Sequence, residues 1–327
     1  HAANERCAGK AWTPTKGADV NELLAALVQL GVLDNATAQR ITRNLSPDEA
    51  QAWAETTLLQ AFTGGLDAQR YRLLDLVDSA NGRPTAAQLA EFWRREDAAF
   101  FRSIEPALYE IAQERAIVSI VSGGAVDMWE AVNEAVIGWV NDYYTNLDVE
   151  LVGSVPNINA TSRTDFARAF LDWQRGELET AGYADGLPQL IRAIEPTFGA
   201  VRAERLAVTE STRIYYESTY QAANANPYVV ALRWYSAADE LVCPICGPNH
   251  TVTVPKNQRT WPNGASIPAH PNCRCRAIEE TALTLETPLP PEERYRWSAD
   301  AYARYQQEQR DARRPTSLID TLTGSRP

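Results

Sequence analysis

Residues 239–250 read DELVCPICGPNH and residues 269–276 read AHPNCRCR; together they hold four of the five cysteines in a chain of 327 residues. Cys243 and Cys246 form a C-x2-C pair, and Cys273 and Cys275 form a C-x-C pair with His270 three residues upstream. Twenty-six residues, 247–272, separate the pairs. A C-x2-C turn aims two sulfurs at one point, and C-x-C on an extended segment does the same, because residues i and i+2 share a face. Two such pairs supply the four ligands that tetrahedral Zn²⁺ takes. The candidates outnumber the places. Cys243 and Cys246 with two of His270, Cys273 and Cys275 form the expected set, and His250, four residues after Cys246, is the weakest candidate. Such a site has no place for water or substrate and is structural: it holds together a segment too small for a core of its own. The competing readings are two disulfides or free buried thiols.

The surrounding sequence favours metal. The N-terminal HAANERCAGK lacks a charged-then-apolar signal pattern, so the thiols are expected to be reduced. Cys7 stands alone. Between Leu241 and Ile278 there is no acid, but Lys256, Arg259, Arg274 and Arg276 are present, in a chain of net charge −11. That basic island reads as balance for the negative charge of a zinc–thiolate centre; the sharper alternative is a patch for phosphate or an acidic partner. Overall acidity argues against general nucleic-acid binding, which needs clustered Lys and Arg, and any DNA contact is expected to be weak and local. No apolar run approaches the ~20 residues of a membrane span, since AIVSIVSGGAV from Ala116 is broken by Gly123 and Gly124.

Outward from the cysteines, the pattern changes at Pro227. Upstream, residues 17 to about 225 read as mostly helical. Ser46-Pro47-Asp48-Glu49 starts one helix, which runs towards Gly64-Gly65. Pro84 opens another, carrying Leu89, Phe92, Phe100 and Phe101 at helical spacing, which Pro106 is expected to kink or divide. Helices are also predicted over 128–144 and 162–178, with a break at Gly182, Gly186 and Pro188. A long helix is predicted over 198–225. Downstream, YVVALRWYS and TVTVP read as strands separated by Gly/Pro turns. Pro288, Pro290 and Pro291 form a linker to a polar helix, EERYRWSADAYARYQQEQR, and a tail. The fold class is mainly α with a small α+β C-terminal module. The divisions are 1–184, a helical region; 185–281, with helix 198–225 and the Cys/His-rich segment 227–280; and 282–327, linker, helix and tail.

In the long helix, Glu210 lies on one line with Leu206 and Ile214, so it needs a partner. Arg213 at i+3 supplies one, and Glu217 extends the pair to a triad. Alternatively, Glu210 clamps the helix to the cysteine segment through Arg274 or Arg276.

RAERLAVTESTRIYYESTYQAA, leading through ALRWYSAADELVCPICGPNHTVTVP to PAHPNCRCR, resembles the phage head morphogenesis family, the minor head proteins similar to protein F of phage Mu. The matching residues are Arg205, Thr209, Glu210, Trp234, Asp239, Cys243, Cys246, Pro268, His270, Pro271, Cys273, Arg274 and Cys275. GPNHTV stands where the family commonly has an LDGKV-like turn. The resemblance covers about residues 185–280. It implies a non-enzymatic minor capsid protein of a phage or prophage, associated with the portal protein and the major capsid protein, which assists head assembly or DNA packaging and delivery. It implies a place in the virion head, and in the host cytoplasm during assembly. Two other classes compete. One is a zinc-dependent hydrolase, peptidase or nuclease, with Asp239 or Glu240 as base, although there is no H-E-x-x-H motif. The other is a zinc-stapled DNA-binding module, although no helix follows the ligands at finger spacing.

Overall fold

The computed structural model describes residues 20–29, 34–43, 47–122, 128–146, 153–178, 186–237 and 242–281. Cys7, Ser46, Asp239, Glu240 and the polar helix predicted after Pro291 lie outside them. Eight helices precede a three-stranded sheet among the described residues: α1 (Val20–Gln29), α2 (Asn35–Arg43), α3 (Pro47–Ser79), α4 (Ala86–Ser122), α5 (Trp129–Thr145), α6 (Val155–Arg175), α7 (Leu187–Phe198), α8 (Ala200–Ala225), then β1 (Val229–Tyr235), β2 (Thr253–Pro255) and β3 (Arg276–Thr281). The mainly helical class with a small C-terminal sheet is what the structure shows.

The helix boundaries follow from local chemistry. The α4 start is a capping box: the Gln88 amide donates to Thr85 Oγ1 at 3.2 Å, and the Thr85 amide donates to Gln88 Oε1 at 2.8 Å. Pro106 lies inside α4 without dividing it. A proline removes one i→i−4 bond, and the turn it occupies is fixed by fully buried Ile104 and Leu108 on either side. Gly64-Gly65 does not end α3 either. A Cβ on Gly65 would lie 2.9 Å from Ser103 Oγ and 3.0 Å from the Phe100 ring, so this glycine lets α3 and α4 pack closely. α7 falls where the sequence suggested only a break. Its Leu190, Ile194 and Phe198, at i, i+4 and i+8, are buried.

Two apolar cores result. The larger runs through α1–α8 and includes Leu58, Phe62, Phe100, Leu108, Val140 and Phe166. The smaller lies between the sheet, the C-terminal half of α8 and the cysteine loops, around Trp234 and Trp261. These two rings meet edge to face, 4.8 Å apart, and each is 1% exposed or less. β1 is central, antiparallel to β2 on one side and β3 on the other. No helix among the described residues is long and apolar enough to cross a membrane.

Candidate metal centre

The sheet delivers the two cysteine loops to one place. β1 pairs with the strand after the first loop and with the strand after the second, so both loops return to the end of β1 nearest Tyr235. In the first loop, the Cys243 carbonyl accepts from the amides of Cys246 at 3.1 Å and Gly247 at 2.9 Å. The Cys246 amide also points at Cys243 Sγ, 3.4 Å away. This tight turn sets the two sulfurs side by side. In the second loop, the Cys273 amide donates to the His270 carbonyl at 3.2 Å. Asn272 takes φ 61°, a left-handed conformation that Asn tolerates better than most residues.

Five donor atoms converge. Those of Cys243, Cys246 and His270 lie within 4.8 Å of one another, and so do those of Cys246, Cys273 and Cys275. Cys246 is common to both groups. Its sulfur is 3.9 Å from Cys273 Sγ and 3.3 Å from His270 Nε2. Ligand bonds of about 2.3 Å for sulfur and about 2.0–2.1 Å for nitrogen give tetrahedral edges of about 3.8 Å (S–S) and about 3.5 Å (S–N). The two measured separations lie close to those edges. His270 Nδ1 sits 2.7 Å from the Pro271 carbonyl. A carbonyl only accepts, so Nδ1 carries a proton and Nε2 is the nitrogen turned towards the sulfurs, the one a metal would bind once its own proton is lost.

The electrostatics fit a cation as well. Two thiolates about 4 Å apart repel by about 4 kcal/mol at an effective dielectric of about 20, so without metal the sulfurs must share protons. Cys243 falls to about 4, through its hydrogen bond with Cys246, against the opposing effect of burial. Cys246 is pushed up by its hydrogen bonds to Cys243, Cys273 and Cys275. Cys273 is held well below the usual thiol range by hydrogen bonding with Cys246 and Cys275. Cys275 rises: Cys246 pulls it down, but Cys273 and burial outweigh that pull. His270 is raised to about 9, chiefly by Cys243. A divalent ion held here would take over the role of these shared protons, and soft sulfurs plus one imidazole are donor types that Zn²⁺ accepts.

One face of α8 holds the loops. Thr209 Oγ1 accepts from the Asn272 amide at 2.9 Å, and Thr212 Oγ1 donates to the Cys273 carbonyl at 2.6 Å. Further along the same stripe, the Tyr216 and Tyr220 hydroxyls donate to the carbonyls of Arg259 and Asn257, each at 3.2 Å. Asn224 donates to the Lys256 carbonyl at 3.3 Å. Glu217 pairs with Arg259, whose guanidinium also stacks 4.0 Å from the Tyr220 ring. Burial nevertheless raises the Glu217 carboxyl above its ordinary value.

The clamping acid is therefore Glu217 acting through Arg259, rather than Glu210 acting through Arg274 or Arg276. Glu210 turns the other way, into the bundle. It is 1% exposed, accepts from the Tyr144 hydroxyl at 3.0 Å and pairs with Arg213 at 3.1 Å. A Cβ on Gly153 would lie 2.1 Å from its carboxylate. His250 also stands apart from the donor groups. Its Nδ1 accepts from the Ser236 amide at 3.1 Å, and its ring packs against Tyr235. Half of the basic island serves the α8 seam: Arg259 through Glu217, and Lys256 through a 2.8 Å bond to the Asn226 carbonyl. Thr212 and Arg259 were not legible as anchors; the 3.6-residue spacing of Thr, Tyr and Asn along α8 was the available signal.

With this geometry established, the comparison with known families is specific. Residues 184–278 match the family described as Phage Mu protein F like protein. The matched segment takes in α7, α8, β1, β2, both cysteine loops and the start of β3, so it contains the whole donor cluster and the α8 face that carries it. In this Mu F-like segment, adjacent residues of the Thr-Glu pair divide the work, Thr209 holding the cysteine loop and Glu210 the bundle. The longest helices, α3 and α4, precede the match. No curated protein and no solved structure matches the chain.

Proposed function

We propose that the chain is a non-enzymatic minor head protein of a tailed phage or prophage, working in the virion head and in the host cytoplasm during assembly. Its partners are the portal protein and the major capsid protein, and it assists head assembly or DNA packaging and delivery. Residues 185–281 act as a zinc-stapled knob on the helical region 1–184, followed by residues 282–327. One observation carries this reading: five metal-type donors from two distant loops converge within a segment that matches the Mu F-like family. The ligands are Cys243, Cys246, His270 and Cys273. His270 Nδ1 is committed to the Pro271 carbonyl, which leaves Nε2 towards Cys246, and Cys273 lies one tetrahedral edge from Cys246. Four protein ligands leave no position for water, which separates the reading from a zinc hydrolase.

Metal analysis of the purified, reduced chain is expected to give one zinc per chain, lost in Cys246→Ser, with X-ray absorption showing only sulfur and nitrogen neighbours. A bound water on the metal would support the hydrolase alternative. Purified heads are expected to contain the chain, and a portal pull-down to recover it. Heads lacking it overturn the assembly role.

A further inference from the structure

The four clustered thiols are not equally reachable. Cys246, Cys273 and Cys275 are buried, each 6% exposed or less, whereas Cys243 is half-buried. A cavity of about 210 Å³ adjoins the centre, and Cys243, Cys246 and His270 are among the residues that line it. Cys243 also has a second thiol at hand. The Cys246 sulfur lies within 4.8 Å of its own, and both residues sit in one tight turn, closed by the Cys246 and Gly247 amides on the Cys243 carbonyl. The Cys246 amide donates to Cys243 Sγ as well, at 3.4 Å, a bond that a thiolate keeps. Partly exposed cysteines of C-x2-C turns are the reactive kind, whereas buried structural thiols are inert.

We propose that Cys243 is the peroxide-reactive thiol of the centre and that its oxidation to a Cys243–Cys246 disulfide opens the metal staple; this rests on the zinc reading above. The Cys243 thiolate attacks one oxygen of hydrogen peroxide, the O–O bond breaks, hydroxide leaves, and Cys243 becomes a sulfenic acid. The Cys246 thiolate then attacks the sulfenic sulfur and expels a second hydroxide, forming the disulfide. The two sulfurs give up two electrons in total and the peroxide takes them; both hydroxides become water with protons from solvent. The bridge lies wholly within the first loop. It withdraws two of the four proposed ligands, including the sulfur common to both donor groups, and leaves His270 and Cys273 in the second loop. The second loop stays on α8 through Thr209 and Thr212, while the first loses its metal link to it. The knob is closed in reducing surroundings and open in the presence of peroxide.

The experiment uses the full, zinc-loaded chain, reduced and then treated with hydrogen peroxide. Zinc release is followed with a colorimetric chelator, sulfenic acid is trapped with dimedone, and adducts and disulfides are mapped by mass spectrometry of peptides. The first dimedone adduct is expected on Cys243. Without dimedone, the Cys243–Cys246 bridge is expected, with one zinc released per bridge. In the absence of peroxide, N-ethylmaleimide is expected to label Cys243 at least about tenfold faster than the three buried thiols. A first adduct on Cys246, Cys273 or Cys275, a bridge that joins the two loops, or equal labelling of all four thiols overturns the proposal and leaves the metal reading intact. A bridge that forms while the zinc stays bound overturns the opening of the staple. A reduced chain that takes up no zinc overturns the metal reading, and the switch with it.

Discussion

The two cores of this molecule are held by different means. The helical one is built from large side chains removed from water, such as Leu58, Phe62, Phe100 and Phe166, each 1% exposed or less. Burial of this kind stabilises by about 1.5–3 kcal/mol per side chain, and helices as long as α3 and α4 supply many such residues. The sheet core has two tryptophans, one tyrosine and a few aliphatic residues, and three of its buried members, Cys246, Cys273 and Cys275, are candidate metal ligands. A segment this small rarely stabilises itself by burial alone, and metals or disulfides fill the gap. α8 joins the two regions: Ala207 and Ile214 face the helical core, while Tyr216 and Ala223 face the other.

The sharpest way to break this contrast is to remove the proposed zinc. Structural zinc contributes on the order of 10 kcal/mol to small domains, so chelation is expected to open residues 242–275 to protease and abolish the near-ultraviolet signal of Trp234 and Trp261. Far-ultraviolet helicity from α3–α5 should survive. Collapse of that helicity on chelation would show that the two cores are one cooperative unit.

The next largest effect reverses the experiment. Phe100→Ala is expected to destabilise the bundle by about 3–5 kcal/mol, read by denaturant unfolding, with zinc stoichiometry intact. Loss of zinc in this variant would contradict the independence of the centre. A smaller effect tests the seam. Thr212→Val removes the donor to the Cys273 carbonyl and is expected to cost about 1–3 kcal/mol, with faster zinc loss to a chelator. An unchanged rate would remove Thr212 from the support of the loop.

The smallest effect is pH-dependent. Ser119 of α4 donates to Glu279 of β3, and burial raises that carboxyl from 4.5 to about 7, with Ser119 and Arg115 opposing the rise. The folded state therefore holds the Glu279 proton more tightly than the unfolded one. The resulting stability is present in full below about pH 4.5 and is lost as pH rises through about 7. Melting temperature is expected to fall between pH 5 and pH 8 by a few degrees more in the wild type than in Glu279→Gln. Equal falls would exclude Glu279 as the source.

Legibility followed the range of the interactions. The long helices, β1, and the grouping of Cys243, Cys246, His270, Cys273 and Cys275 could be read from periodicity and spacing, because these depend on neighbours a few residues away. Gly65 and Pro106 misled, since each looks like a punctuation mark locally. In the fold, Gly65 is a packing contact against Phe100, and Pro106 is held in line by buried neighbours. α7 was hidden because Gly186 and Pro188 suggest a break, although Pro188 occupies the first turn of the helix, where proline is tolerated.

By itself the sequence determined that sulfur is concentrated in two loops after a helical region, because residue type and short-range spacing are properties of the chain alone. Only the tertiary structure decided that His250 stands apart, that Glu217 rather than Glu210 meets the cysteine segment, and that Cys246 is common to both donor groups. Those outcomes depend on which side chains oppose one another across α8 and the sheet, and that opposition exists only once distant segments have packed.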